Sequence, residues 1–519
     1  MADIPKLWLN MHTSFRSPGF AVALCALGGV VSHPALADER PGCADATASQ
    51  CVARALDAMG GRQKLAGISS VALDVVGHTV LAEQSYRQSP FITSYQRDKL
   101  VLDFANGRLR DDSHSVWPEA DPHQADSDQS LIVTSAGGGY HDPKGDSPCG
   151  LASIDDARQA LALGPLRVLM SAADAKDLHY DGTQMLRSTP HVAIAFTWNG
   201  VPVRVLLNAH NHLPDAIETT QQFRDFWYFW GDTQQRVYWD NWKFASGVEY
   251  PSNEVVERNG LLWKSSEAID VQFNPPIDAE HFALDPKVAQ QSAQGKGWAR
   301  SFKSDKQAQL ADGVSLYPGS WNTTIVRQDD GVVILETPIS GAYTQGLFEE
   351  ARKLYPTLPI KAVLSTSDSW PHTGGIRYDV AQGIPIYILD LNRALLDRIV
   401  AAPHAIDPDA LQLTRKSPDW RIVSDKTQIG AGANRMQLIP LRGASTERQY
   451  MVYFPEHHLL YASDTLVIDP DQHTLYDPEL MHEVQQAVER EHLVVDTVYA
   501  MHQEPVAWKD VVGLLRKAG

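Results

Sequence analysis

The residues of this 519-residue chain best suited to chemistry gather in one short stretch, Lys361 to Tyr387, KAVLSTSDSWPHTGGIRYDVAQGIPIY. Ser367, Asp368, Ser369 and His372 fall within six positions of one another there. Hydroxyls beside an imidazole raise the question of a serine nucleophile. Neither serine lies in a Gly-x-Ser-x-Gly elbow, and a dyad of Ser369 with His372 as its base lacks a third group to orient it. Strand alternation points Asp368 away from its neighbours, towards solvent. His457-His458 falls in the turn of MVYFPEHHLLY, where both rings are expected to be solvated.

Composition narrows the partners. The chain is 43% hydrophobic and 21% charged, the balance of a globular protein, and its length predicts two domains. A formal net charge of -18, with no local Lys/Arg run, excludes a nucleic-acid role, since phosphate binding needs a basic face. Lys6 and Arg16, the apolar run Phe20 to Val31 and the small-residue site Ala35-Leu36-Ala37 read as a secretory signal over residues 1–37. The apolar run is too short to span a bilayer, and Leu24 is a poor residue before Cys25 for a lipoprotein site. A periplasmic or secreted protein is therefore expected, with no transmembrane segment after cleavage. Cys43 and Cys51 can close a small loop in such an oxidising compartment, leaving Cys149 as a free thiol.

The elements that must position these residues change character along the chain. Cys51 to Leu65 reads as a helix broken at Gly60-Gly61, and Ile154 to Leu163 as a second helix. Most of residues 38–286 otherwise has strand texture, clearest where Asn199-Gly200 separates two apolar runs as a hairpin turn. The aromatic stretch Phe223 to Phe244 is expected to form paired antiparallel strands, its rings serving either as a sheet core or as an apolar ligand groove. Residues 287–311 are polar and form the predicted linker. From residue 312 to 519 strands alternate with helices, a layered α/β texture.

Two resemblances give these elements a frame. Residues 51–286 resemble periplasmic lipoprotein-carrier half-barrels in the AMGGRQKLAGISSV opening, the FASGVEYP strand and the VQFNPPIDAEHFALDP ending. That resemblance implies a curved antiparallel sheet with helices, cradling an apolar or lipid-like ligand. The last two hundred residues resemble the metallo-β-lactamase superfamily, which implies an αββα sandwich. There a strand ends in Thr-His-x-His-x-Asp-His-x-Gly-Gly, and here Thr366, His372, Gly374-Gly375 and the returning strand Gly383-Ile384-Pro385-Ile386 match it. MVYFPEHHLLYASDTL and YAMHQEPVAW match later blocks in the right order.

The departures from the family pattern decide the functional expectation. Ser367 and Ser369 stand at the first two His positions, Pro371 at the Asp position, and Ser445 near the third-block His. Four of seven ligand positions are lost; His372, Asp464 and His502 remain. A serine hydroxyl is a poor zinc ligand at neutral pH and proline offers no donor, so a dinuclear hydroxide-generating centre is not expected. The resemblance places the three surviving residues at the family's second metal position. Two imidazoles and a carboxylate there imply either no cofactor or a single divalent metal such as zinc. The chain is accordingly expected to be a pseudoenzyme in binding or assembly, with a one-metal periplasmic hydrolase as the alternative. Export predicts a mature N-terminus at Asp38. Mass spectrometry of the mature protein checks this, and an intact signal on soluble cytoplasmic protein would refute it.

Overall fold

The computed structural model describes residues 43, 47–83, 90–117, 126–303 and 305–518, so the signal segment, its Ala35-Leu36-Ala37 site and Cys25 lie outside the described residues. No helix among the described residues is long and apolar enough to cross a membrane. A disulfide joins Cys43 to Cys51, and Cys149 is buried and free.

The first part begins with helices α1 (Ala48–Ala58) and α2 (Arg62–Gly67), separated at Gly60-Gly61 as the sequence predicts. Six strands follow as a meander: β1 (Ser70–Val80), β2 (Thr93–Asp103), β3 (Arg108–Val116), β4 (Asp126–Thr134), β5 (Gly137–Asp142) and β6 (Gly145–Pro148). Helices α3 (Leu151–Leu163) and α4 (Val168–Asp174) lead to a second meander: β7 (His179–Leu186), β8 (Thr189–Trp198), β9 (Val201–Asn208), β10 (Pro214–Gln222), β11 (Asp232–Ala245), β12 (Val248–Arg258) and β13 (Leu261–Phe273). Antiparallel pairing of β1 with β13 joins the meanders into one large sheet. Asn199 and Gly200, both at positive φ, make the two-residue turn between β8 and β9. Apolar faces of α1, α3 and α4 pack on one side of the sheet.

The aromatic stretch departs from expectation. Phe226–Trp230 is a short 3-10 turn between β10 and β11, not a strand. The Asp225 carboxylate fixes it by accepting the Trp227 N–H at 2.8 Å. Trp227, Phe229 and Trp230 then turn away from the sheet and bury against the C-terminal half. The stretch predicted as linker is also organised. It contains α5 (Pro286–Ala293), and Trp298 beyond it stacks on Tyr228 with ring centroids 4.5 Å apart.

The second part holds two smaller sheets. One runs β14 (Ala308–Ala311), β15 (Val314–Tyr317), β16 (Thr323–Gln328), β17 (Gly331–Leu335), β18 (Ile360–Leu364), β19 (Ile386–Leu389) and β20 (Trp420–Val423), in that order, with pairing parallel from β17 onward. Its parallel strands are near-continuous apolar runs because both faces are covered. The other runs β21 (Thr427–Ile429), β22 (Met436–Pro440), β23 (Tyr450–Phe454), β24 (Leu459–Tyr461), β25 (Thr497–Tyr499) and β26 (Val506–Ala507). Val333, Leu335 and Leu364 of the first sheet share a core with Leu438, Val452 and Tyr461 of the second. Helices α6 (Gly341–Leu354), α7 (Ile376–Gln382), α8 (Arg393–Ala401) and α9 (Ala410–Thr414) pack on the first sheet's outer face, and α10 (Pro478–Arg490) and α11 (Trp508–Ala518) on the second's.

Behind the Gly374-Gly375 corner, α7 buries Asp379 completely, with Thr337 Oγ1 donating to its carboxylate at 2.7 Å. Burial pushes this carboxyl from the usual 3.8 up to about 8. The folded protein therefore keeps a proton that the unfolded chain releases, and stability falls as pH rises between those values. Asp379→Asn keeps the Thr337 contact and has no proton to lose. Its melting temperature is expected to fall less than wild type's between about pH 5 and pH 8. Parallel melting curves across that range would show that Asp379 ionises normally.

Candidate functional site

Residues 365–375 link β18 to α7 outside any strand or helix, held by isolated backbone bonds and by side chains. Beneath the link, Glu336 sits at positive φ directly after β17 and is fully buried. Its Oε1 accepts the Thr366 N–H at 3.1 Å, the Thr366 hydroxyl, and the Tyr461 hydroxyl at 3.3 Å. Burial pushes the Glu336 carboxyl up to about 8, so at neutral pH it is largely protonated. The far end of the link is set by close packing. A Cβ on Gly375 would lie 1.8 Å from Thr344 Oγ1, and one on Gly374 would lie 2.5 Å from the Ile339 carbonyl.

The first part of the chain clamps the link from the other side. The Glu83 carbonyl accepts the Trp370 N–H at 3.2 Å and the Ser369 hydroxyl at 3.1 Å. Trp370 is buried edge-on against Trp227 and Trp230, with centroids 4.9 and 5.6 Å away. Tyr228 donates to the Ile339 carbonyl at 2.5 Å. Rings in edge-to-face contact gain about 0.5–1.5 kcal/mol per pair beyond their burial.

This scaffold brings His372, Asp464 and His502 together, the one group of three metal-type donors found within 4.8 Å of one another among the described residues. His372 Nε2 lies 3.3 Å from His502 Nε2, and Asp464 Oδ1 lies 3.4 Å from that same His502 nitrogen. A tetrahedron with bonds of about 2.0–2.1 Å has edges of about 3.3–3.4 Å, so these two edges match a zinc-sized ion, while Asp464 comes nearest His372 at Nδ1, 3.5 Å away, rather than at Nε2. His502 Nδ1 is 2.7 Å from the Ser320 carbonyl, which can only accept; the ring proton is therefore on Nδ1, and Nε2 keeps its lone pair. Burial lowers the pKa of both imidazoles, aided at His372 by His502, and this favours the neutral ligating form. Burial, then the neighbouring Asp477, pushes Asp464 up. Such a carboxylate gains most from a nearby cation.

The serine candidates fare differently. Ser369 spends its hydroxyl on Glu83. Ser367 Oγ lies 3.3 Å from His372 Nδ1, but Asp464 Oδ2 approaches the same nitrogen at 3.5 Å. A relay needs its nucleophile and its orienting carboxylate on opposite nitrogens of the histidine base, so no triad forms. His458 is exposed and pairs with Asp496, while His457 is half-buried and bonded to Asn434.

Asp368 corrects the sequence reading. It is 1% exposed and forms an ion pair with Arg448 at 2.5 Å. Both residues line a cavity of about 520 Å³ together with the three converging residues. Ser445 does not line it; Arg448 and Gln449 are the residues this loop supplies, and Gln449 Oε1 accepts the Asp464 N–H at 2.9 Å. Leu81, Ile92, Trp117 and Phe226 from the first part complete the wall. Sequence reasoning missed Arg448, Glu336 and Glu83. The only signal for Glu336 was an acidic residue ending the apolar run VVIL.

No family model and no curated protein matches the chain. Among solved structures it is similar to the DIM-1 metallo-beta-lactamase, at 17% identity and a TM-score of 0.32, over 41% of this chain and 98% of that one. It is similar to a metallo-beta-lactamase from Hirschia baltica at 16% identity and a TM-score of 0.31, over 41% of this chain and 96% of that one. The sec-alkylsulfatase Pisa1 from Pseudomonas sp. shares 15% identity at a TM-score of 0.30, over 40% of each chain.

Removing one member of the Arg448–Asp368 pair strands the other charge in the protein interior. Arg448→Met is expected to cost about 3–5 kcal/mol in urea unfolding. A loss below about 1 kcal/mol would mean that the pair is effectively solvated.

Proposed function

We propose that residues 312–519 form an αββα sandwich of metallo-β-lactamase type that has lost the dinuclear centre and keeps one divalent-metal site. His372, Asp464 and His502 hold the ion, zinc by ligand type. The protein is exported, to the periplasm or beyond, and works by binding or assembly rather than by dinuclear hydrolysis. The observation that carries this reading is the pair of imidazole Nε2 atoms facing each other at 3.3 Å, with His502 Nδ1 already committed to a carbonyl. His502 Nε2 is thereby left as an acceptor, which either a proton on His372 Nε2 or a cation shared by the two rings satisfies, and Asp464 beside them favours the cation. The former first-metal side supplies no replacement ligands: Ser367 and Ser369 are hydrogen-bonded locally, and the Asp368 carboxylate is taken by Arg448.

A second reading is a one-metal hydrolase, favoured by the cavity in front of the three ligands. A bound divalent ion supplies a Lewis acid and lowers the pKa of a coordinated water. The chain itself would position a substrate between the Arg448 side and the apolar wall of Leu81, Ile92 and Phe226.

Protein loaded with zinc and desalted is expected to retain about one equivalent per chain and to melt at a higher temperature than chelated protein. His502→Ala should abolish both effects, because two ligands make a weak site. Equal zinc content and equal melting temperature in wild type and variant would refute the metal site. Zinc-dependent hydrolysis of an ester, thioester or lactam that His502→Ala abolishes would replace the binding role with the enzymatic one.

A further inference from the structure

Two more cavities lie within the large sheet, away from His372. One of about 400 Å³ is enclosed by α3 and strands of both meanders. The other, about 290 Å³, is lined by Glu83, Asp225 and Trp117. Gln96, Trp263 and Lys264 line both, so the two adjoin end to end. Trp117 and Phe226 in turn line the cavity at His372.

The walls carry an unusual surplus of negative charge for an interior. Asp98, Asp111, Asp156 and Glu254 line the larger cavity and Glu83 the smaller, while Lys264 is the one cationic side chain lining either. Asp225, also in the smaller cavity, is already paired with the buried Arg258. Asp98 and Glu254 are partly satisfied by the Ser113 hydroxyl and the Trp239 indole N–H. Glu83 is only 6% exposed, yet its Oε2 has no hydrogen-bond partner. Asp111 Oδ1 and Gln96 Oε1 are likewise unpartnered acceptors. The Trp227 indole N–H, which lines the smaller cavity, is an unpartnered donor, so acceptors outnumber donors three to one among the unpartnered lining atoms and leave room for an added donor. Burial raises the pKa of both Glu83 and Asp111 to about 7, outweighing the pull of Arg258 and Lys264 on Glu83 and of Lys264 on Asp111.

The shape of the lining selects the donor. A compact metal ion needs ligands that converge, and among the described residues only His372, Asp464 and His502 do so. Carboxylates spread along adjoining cavities instead match positive charges spread along a chain. Trp239 and Tyr250 line the larger cavity too, and aromatic rings attract cations, as Trp263 already does for Lys264 Nζ at 4.0 Å and the Arg258 guanidinium at 3.3 Å. Leu73, Leu100 and Leu163 offer apolar wall for methylene segments. We propose that the joined cavities form a binding site for a linear aliphatic polyamine, with ammonium groups at Glu83 and Asp111 and methylenes along the wall under α3.

Isothermal titration with spermidine, on the mature protein treated with chelator, tests this. Saturable binding near one equivalent is expected, weakened by about tenfold or more in Glu83→Gln and in Asp111→Asn. Heptylamine, with one ammonium on a comparable chain, should bind at least about tenfold more weakly to wild type. His502→Ala should bind spermidine as wild type does, which separates this site from the metal site. The proposal fails if spermidine does not saturate below about 1 mM, if heptylamine binds equally well, or if neither carboxylate substitution changes the affinity. The heptylamine comparison uses wild type alone and so decides the matter even if a variant folds poorly.

Discussion

A buried carboxyl group holds the start of the link between β18 and α7, and the geometry of the site depends on it. Glu336 receives the backbone and hydroxyl of Thr366 and the hydroxyl of Tyr461. Thr366 in turn bonds Ser463 at 2.7 Å, and the neighbour of Ser463 is Asp464. One side chain thereby fixes the link that carries His372 relative to the strand end that carries Asp464. The φ of 69° at Glu336 is strained for a residue with a Cβ, a cost of about 1–3 kcal/mol that the surrounding hydrogen bonds offset. Because the group is mostly protonated at neutral pH, it holds the network without placing a second full charge beside Asp464.

The large sheet acts on the same link from above. Glu83 fixes Ser369 and Trp370 through its backbone, and the 226–230 turn locks Trp370 through its rings. The side chain of Glu83 meanwhile faces the sheet's smaller cavity. One residue thus contacts the link with its carbonyl and lines a separate cavity with its carboxylate. Movement of the segment at Glu83 would be felt in both places, since packed side chains transmit displacement rather than absorb it.

Much of this was legible in local sequence, and the failures share a cause. His372, Asp464 and His502 were singled out because their blocks resemble the metallo-β-lactamase pattern, and the structure brings the three within 4.8 Å of one another. The Asn199-Gly200 turn and the break at Gly60-Gly61 depend on backbone chemistry local to a few residues, and both appear where expected. Asp368 was read as a solvent carboxylate because alternation gives direction, not burial; its partner Arg448 is eighty residues away. Phe226–Trp230 read as strand because aromatic residues favour strands. What makes it a turn is the Asp225 cap, held by an ion pair to Arg258 on another strand. A charge's partner and an aromatic ring's host are tertiary facts, and one sequence does not encode them locally.

The Arg448–Asp368 pair also shows how the protein itself can neutralise a carboxylate at this cavity. A metal centre contributes countercharge to the carboxylates around it, and removing the ion without replacement leaves them unpaired in a poorly solvated interior. In this chain a guanidinium stands against Asp368. That side of the cavity is electrostatically closed. The opposite side is not: Asp464 meets two imidazoles that burial keeps neutral, and burial disfavours its own ionised form, so no cation within the triad balances an ionised Asp464. The two halves of one cavity therefore differ: one carries an internal cation, and the other brings two imidazoles and a carboxyl group within 4.8 Å of one another.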